Sequence, residues 1–373
     1  MKHYTMEHFN EKMMKRAIVL AKRGIGRTSP NPAVGCVIVK GGAIVGEGWH
    51  KKAGTPHAEV HALRQAGEMA RGADVYVTLE PCAHFGKTPP CADALIAAKV
   101  SRVHIGMVDP NPRVCGEGIS MLRSAGIEVV ISVLEENCRS LNEPFIKHVT
   151  TGLPFVILKS AMTLDGKTAT AGKDSKWITS DKSRQYVHKL RAKLDAIMVG
   201  VGTVITDDPL LTSRIPAGRD PLRVIVDSTL RIPLSSQVLH VDSPAKTVIA
   251  TISDDEAQIA RITAAGADVL CCRQTNGRVD LHDLFVKLGG LGVQSLLLEG
   301  GGALAGEALR CGLIDKCMFF YAPKMVGGEG LGPFSGSGVE LMADAIPLKN
   351  ISITKIGGDI LVQGYPENAC LQV

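Results

Sequence analysis

At 373 residues the chain is long for a single hydrophobic core, so two domains are expected. A net charge of +5 with no lysine-arginine run gives nucleic-acid binding no electrostatic support, and 4% aromatic residues argues against a base-stacking surface for single strands. No apolar run reaches membrane-spanning length and the start of the chain lacks the order of a signal peptide, so ten dispersed cysteines read as reduced thiols in a cytoplasmic enzyme.

Residues 6–23 carry apolar positions at helical spacing and stop at Gly24, before the tight loop Thr28-Ser29-Pro30-Asn31-Pro32. The period then shortens: 34–39 and 43–49 are apolar runs joined by Lys40-Gly41-Gly42, a hairpin. A helix is predicted over 57–69, with His57 and Glu59 in its first turn. The β-branched runs 74–79, 102–108 and 127–133 each follow a helical stretch and make the unit a layered α/β sandwich. Glu80-Pro81-Cys82 and Asp109-Pro110-Asn111-Pro112 fall directly after strands, at the carboxyl edge where open α/β sheets bind ligands.

His57, Cys82 and Cys91 offer three zinc ligands, and a catalytic zinc keeps three protein ligands while leaving the fourth position to a water of lowered pKa. Glu59 is then free to shuttle protons to a leaving amine, as in the His-x-Glu deaminases. Eight residues separate the two cysteines where Pro-Cys-x-x-Cys is usual, a loop that still closes on one ion if Cys91 opens the helix 92–99. The rival ligand is His61, four residues after His57, but Ala58 stands where a His-Glu-x-x-His site needs glutamate, so His61 is read as packing. A structural zinc site would fill all four positions and leave Glu59 without a role.

The polar stretch 142–154 is read as a connection, giving domains 1–150 and 151–373. Beyond it, 155–161, 196–199, 223–226, 247–250, 269–271 and 295–298 are strands interleaved with helices, and 351–355 and 359–363 pair about Gly357-Gly358. Leu298-Glu299 runs into Gly300-Gly301-Gly302 and a helix over 304–310, a junction able to hold phosphate on backbone N–H groups. It is neither a Walker loop nor a Gly-x-Gly-x-x-Gly turn; Gly200-Val201-Gly202-Thr203 offers a second glycine contact after another strand.

Asn31-Pro32-x-Val34-Gly35, His57-Ala58-Glu59, the run from Glu80 to Cys91 with its long cysteine spacing, and Asp109-Pro110-Asn111-Pro112 together resemble the bacterial bifunctional riboflavin-biosynthesis deaminase/reductases. In the second half, Lys159-Ser160-Ala161-Met162-Thr163-Leu164-Asp165-Gly166-Lys167, Ser175-Lys176-Trp177-Ile178-Thr179 and Glu299-Gly300-Gly301 extend the resemblance over essentially the whole chain. It implies a cytidine-deaminase-like sandwich using one zinc to deaminate a phosphoribosylated diaminopyrimidinone, followed by a dihydrofolate-reductase-like domain using NADPH to reduce the ribosyl group to a ribityl chain. It also implies residue roles. Asn31, His84, Lys87, Asp109 and Asn111 would surround the pyrimidine and its phosphate. Ala161, Trp177, Thr203, Asp207, Ser228 and the turn Gly301, Gly302, Ala303, Leu304, Ala305, Gly306 and Glu307 would contact NADPH. Ser175, Arg191, Leu211, Arg214 and Glu299 match the second substrate site, with Lys159 and Glu299 as candidates for proton transfer. A homodimer is expected. The alternative is a deaminase of single activity whose carboxyl half only binds or dimerises.

Overall fold

The computed structural model describes residues 2–84, 89–112 and 114–367, so Lys87 lies outside the described residues. The chain divides into two compact units, Met1–Thr151 and Gly152–Val373.

In the first unit, helix α1 (Lys2–Ala21) precedes a hairpin of β1 (Gly35–Lys40) and β2 (Ala43–Trp49). Gly41 and Gly42 take φ +59° and +81°, the pair of left-handed residues that matches a two-residue turn to the strand twist. The helices α2 (Ala58–Ala66), α3 (Cys91–Ala97) and α4 (Glu117–Ser124) alternate with β3 (Asp74–Val77), β4 (Arg102–Ile105) and β5 (Glu128–Val130). The sheet order is β2-β1-β3-β4-β5, with β1 antiparallel to both neighbours and β3, β4 and β5 parallel. Cys36, Ile38, Val75, Val77 and Val103 bury against Ala58, Ala62, Leu95 and Leu122 on one face. On the other face α1 comes so near that a Cβ at Gly35 would stand 2.0 Å from the Ala17 carbonyl oxygen. These layers make the expected sandwich.

The stretch 142–154 is not the polar connection that its composition suggests. Helix α5 (Glu135–Leu141) ends just before it, helix α6 (Glu143–Thr151) occupies most of it, and the chain turns only at Gly152, φ +76°. The Thr150 and Thr151 hydroxyls donate to the carbonyls of Ile146 and Lys147, which keeps two poor helix formers in the last turn.

The second unit is built on nine strands. They are β6 (Phe155–Thr163), β7 (Ala196–Gly200), β8 (Leu222–Val226), β9 (Thr247–Thr251), β10 (Ala267–Cys271), β13 (Ser295–Glu299), β14 (Lys316–Ala322), β15 (Leu348–Ile356) and β16 (Asp359–Pro366). The short pair β11 (Gln274–Thr275) and β12 (Arg278–Val279) stands apart as its own hairpin. The order is β10-β9-β8-β7-β13-β6-β14-β16-β15, parallel from β10 to β14 and antiparallel in the last two pairings. Helices α7 (Asp181–Arg191), α8 (Val201–Asp207), α9 (Glu256–Ala264), α10 (Leu281–Gly290) and α11 (Gly302–Arg310) cover the faces. Parallel strands buried on both sides read as unbroken apolar runs. Thus Leu296 and Leu298 pack toward Leu284, Ala305 and Ala308, while Leu297 packs the other way with Phe155 and Val187. Sequence patterning reveals neither the short β11 and β12 nor β14, which lies between β6 and the terminal hairpin. Its run Cys317-Met318-Phe319-Phe320 has no alternation to separate it from the helix before it.

Candidate active sites

The first site forms where α2, α3 and the ends of β3 and β4 meet. His57 caps α2 and Cys91 is the first residue of α3, so two short helices begin at one point. The Cys91 N–H donates to Cys82 Sγ at 3.3 Å, and His57 Nδ1 lies 3.3 Å from Cys91 Sγ and 3.6 Å from Cys82 Sγ. Two donors about 2.3 and 2.05 Å from one ion at a tetrahedral angle stand roughly 3.6 Å apart, which these separations match. The three ligand atoms all lie within 4.8 Å of one another, the one such cluster among the described residues. The donor set suits zinc, and three protein ligands leave the fourth position open. A hydrogen bond from Cys91 outweighs burial and brings the Cys82 thiol down to about 4, while the same bond, reinforced by burial, raises Cys91. Both bind a metal as thiolates, so metal binding displaces their protons.

Glu59 is 3% exposed and its Oε2 has no hydrogen-bond partner. Burial, reinforced by Cys82, pushes its pKa up to about 7, the range suited to proton exchange near neutrality. His61 packs over Gly48, where an added Cβ would stand 2.8 Å from the His61 Cβ, and it is not one of the clustered donors.

These groups open into a cavity of ≈ 550 Å³ walled by Val34, Leu79 and Phe145 and edged by Asn31, His84, Asp109 and Asn111. Two further residues organise that edge. His50 lies 3.2 Å through Nε2 from Asn31 Nδ2 and 3.3 Å through Nδ1 from the Pro56 carbonyl. A ring protonated on Nδ1 satisfies both contacts, donating to the Pro56 carbonyl and accepting from the Asn31 amide; burial lowers the His50 pKa and favours this neutral form. The buried Glu80 carboxylate accepts the N–H groups of Asp109 and Gly116 at 3.1 Å and of Ile119 at 3.2 Å, fixing the loop that carries Asp109 and Asn111. Burial raises the Asp109 pKa, and its Oδ1 accepts the Asn111 N–H at 2.9 Å. Glu80 sits beside the motif in sequence, but its partners lie 29 to 39 residues away.

In the second unit β6 and β13 are parallel neighbours with Lys159 opposite Glu299. The Glu299 carboxylate is 3.4 Å from Lys159 Nζ and accepts Arg191 Nε at 2.8 Å and Nη2 at 3.1 Å. Burial alone would raise this carboxyl, but Arg191 and Lys159 outweigh it and hold it at about 2. Glu299 is therefore held as an anion between two cations, Arg191 and Lys159. Arg191 also donates Nη1 to the Thr212 carbonyl, so its fork is occupied, whereas Arg214 makes no hydrogen bond or ion pair among the described residues. His188, one turn before Arg191 on α7, has a buried Nδ1 without a partner and is lowered by burial and then by Arg191 and Arg214. The pairing His188-x-x-Arg191 on one helix face is the only sequence trace of it.

The residues expected to hold the nucleotide fall into two groups. Gly300 takes φ +128°, Gly301 donates its N–H to Thr203 Oγ1 at 3.3 Å, and α11 starts without a side-chain cap. Side chains at Gly200 or Gly202 would enter open space, and one at Gly301 would find only Thr203 Oγ1, 4.0 Å away. Backbone, open space and free helix N–H groups fit the diphosphate of a dinucleotide. By contrast Ala305, like Leu211 of the expected substrate site, is 2% exposed and points into the core, and Gly302 and Gly306 leave room for Ser335, whose carbonyl would stand 2.2 Å from a Cβ on Gly306. Their side-chain positions serve packing. Leu304 packs against the same core, Ala303 and Glu307 remain on the open face of α11, and Ala161 lies on β6. Ser175 is half-buried, Asp207 pairs with Lys176 at 3.4 Å, and Trp177 is 63% exposed with Arg184 4.5 Å over its ring.

Family models agree with this division. The model described as cytidine and deoxycytidylate deaminase zinc-binding region matches residues 7–107, and the RibD C-terminal domain matches 154–362. The riboflavin biosynthesis protein RibD of Actinobacillus pleuropneumoniae is 49% identical over 94% of this chain and 93% of its own, and that of Escherichia coli is 43% identical over 94% and 98%. The solved structure of Acinetobacter baumannii RibD superposes with a TM-score of 0.87 at 40% identity, covering 96% of this chain and 99% of that one. A diaminohydroxyphosphoribosylaminopyrimidine deaminase/5-amino-6-(5-phosphoribosylamino)uracil reductase from Thermotoga maritima gives 0.85 at 39% identity, covering 97% and 99%. The chain belongs to the RibD family of bifunctional deaminase/reductases of riboflavin biosynthesis, enzymes that use zinc and NADPH.

Proposed function

We propose that the first unit deaminates a phosphoribosylated diaminopyrimidinone and that the second reduces the ribosyl group of the product, the two reactions named for the Thermotoga relative. The observation that carries the deaminase half is the orphaned Glu59 Oε2 beside the His57, Cys82 and Cys91 donors. Zinc held by those three residues supplies a water activated near neutral pH. Glu59 takes the proton and returns it to the departing amine, Asn31 holds the ring edge through its carbonyl oxygen, and Val34, Leu79 and Phe145 keep bulk water out. His84, Asp109 and Asn111 face the polar end of the substrate, where Lys87 is also assigned.

In the second unit NADPH supplies the hydride. The turn Gly300-Gly301 with Thr203 would seat its diphosphate, and Ala161, Trp177, Asp207 and Ser228 would line the rest of the seat. Lys159, held by Glu299, gives a proton to the oxygen of the reduced carbonyl. Arg191 fixes Glu299, which leaves Arg214 to receive the substrate phosphate beside Ser175 and the backbone of Leu211. Net charge and scarce aromatics support a small-molecule substrate rather than nucleic acid. No helix of the described residues is long and apolar enough to cross a membrane; cytoplasmic location remains our reading of the cysteine usage.

Cys91→Ser separates the two activities. Bound zinc, measured by elemental analysis, should fall from one per chain to a small fraction, with deamination lost and NADPH oxidation on deaminated substrate kept. Equal loss of both would contradict two independent sites. A homodimer is supported by β15, an outer strand with Ile351 58% and Ile353 71% exposed beside an unpaired edge. Sedimentation equilibrium should give twice the 39.6 kDa chain mass, and a monomer at micromolar concentration would refute it.

A further inference from the structure

A second cavity, ≈ 650 Å³, lies along the open face of α11, between Ala303, Glu307 and Arg310 on the helix and Arg278 on the short hairpin β11–β12. The hairpin is built to hold one side chain in place. Asn276 and Gly277 take φ +53° and +71°, the two left-handed residues of a tight turn, and Thr275 pairs with Arg278 across it. Val279 is 5% exposed in the core and donates its N–H to Ser228 Oγ at 3.1 Å. Successive residues of a strand point to opposite sides, so with Val279 inward Arg278 projects outward, over the cavity.

The position of this arginine follows from the sheet order. Thr203, Ser228 and the turn Gly300-Gly301 follow β7, β8 and β13, three adjacent strands, and all lie at their carboxyl ends. A dinucleotide seated by its diphosphate on Gly301 and extending past Ser228 meets the hairpin bonded to Ser228. The local charges suit a phosphate. Glu307 is the one carboxylate on the helix side, and it is gripped by Arg310, with Nε on Oε2 at 3.1 Å and Nη2 on Oε1. Asp280, at the base of the hairpin, is occupied by the N–H groups of His282 and Asp283 and by the Thr275 hydroxyl. Arg278 makes no hydrogen bond or ion pair among the described residues, leaving its five donors available.

We infer that Arg278 reads the 2′-phosphate of NADPH and sets the preference for NADPH over NADH, a role that rests on the cofactor seat proposed above. The phosphate oxygens accept from the guanidinium in a charge-assisted pair, which NADH, with only a 2′-hydroxyl there, cannot form.

Isothermal titration of the full enzyme with NADP⁺ and with NAD⁺ tests this by binding alone. Arg278→Gln should weaken NADP⁺ binding about 30-fold and leave NAD⁺ binding within about twofold, with Arg278→Lys in between. Gly301→Val should weaken both nucleotides together. Its φ of −58° and the 4.0 Å of free space admit a side chain without disturbing the fold. If Gly301→Val weakens both while Arg278→Gln leaves the NADP⁺ to NAD⁺ ratio unchanged, the seat stands and the role of Arg278 is refuted. If Gly301→Val changes neither affinity, the seat itself is wrong and the assignment of Arg278 falls with it.

Discussion

Glu59→Gln is expected to lower deaminase turnover about 10³-fold while zinc content and NADPH oxidation on deaminated substrate stay at wild-type levels. The magnitude is that of a proton shuttle removed from an otherwise intact site. The substituted amide keeps the shape of the buried side chain, and none of the three clustered donors is altered, so metal affinity should not follow activity down. Burial is what raises the wild-type carboxyl to about 7, so it exchanges protons near neutrality, and an amide has no such proton at any pH. Turnover within tenfold of wild type would assign the proton transfer elsewhere. Zinc loss in parallel with activity would instead make Glu59 part of the metal's support.

Arg191→Met is expected to reduce NADPH oxidation at least about 10²-fold and to destabilise the second unit by about 3 kcal/mol, because it leaves the buried Glu299 with one cation instead of two. The sign of the accompanying pH effect is fixed by the direction of the shift. A carboxyl held at about 2 contributes stability that is fully present above its unfolded value, near 4.3, and disappears as pH falls toward 2. Without Arg191 the opposing effect of burial gains, the folded pKa rises, and the contribution shrinks and is lost at higher pH. Thermal melts between pH 3 and 7 should show the variant's curve falling earlier on acidification. Parallel curves would mean that Arg191 does not hold Glu299 ionised.

Residues that act through their own chemistry at a fixed spacing are legible in the sequence. His57 and Glu59 share the first turn of α2, and Cys91 opens α3 as the long loop requires. Residues that act through another are not. His50 matters because its ring bridges Asn31 and the Pro56 carbonyl, and Glu80 because three distant N–H groups converge on it, arrangements that exist only once the sheet brings the loops together. Motif transfer locates Leu211, Ala305 and Gly306 near the second site but cannot tell a contact from packing; burial places the Leu211 and Ala305 side chains in the core, while Gly306 lies against Ser335. The stretch 142–154 misleads for a related reason, since α6 is held by Thr150 and Thr151 hydroxyl bonds and buries Lys147, features that composition reports as polar loop. Asn276-Gly277 is a readable hairpin turn, yet only the Ser228 bond shows that it adjoins the nucleotide seat.

The central claim is that one chain holds a zinc-dependent deaminase and an NADPH-dependent reductase acting in that order. Incubating the wild-type enzyme with the phosphoribosylated diaminopyrimidinone, with and without NADPH, while following ammonia and cofactor oxidation tests it most directly. The account predicts ammonia release in both reactions, and NADPH oxidation that trails it and reaches the same amount. NADPH oxidation without ammonia, or ammonia release that never leads to cofactor oxidation, would contradict it.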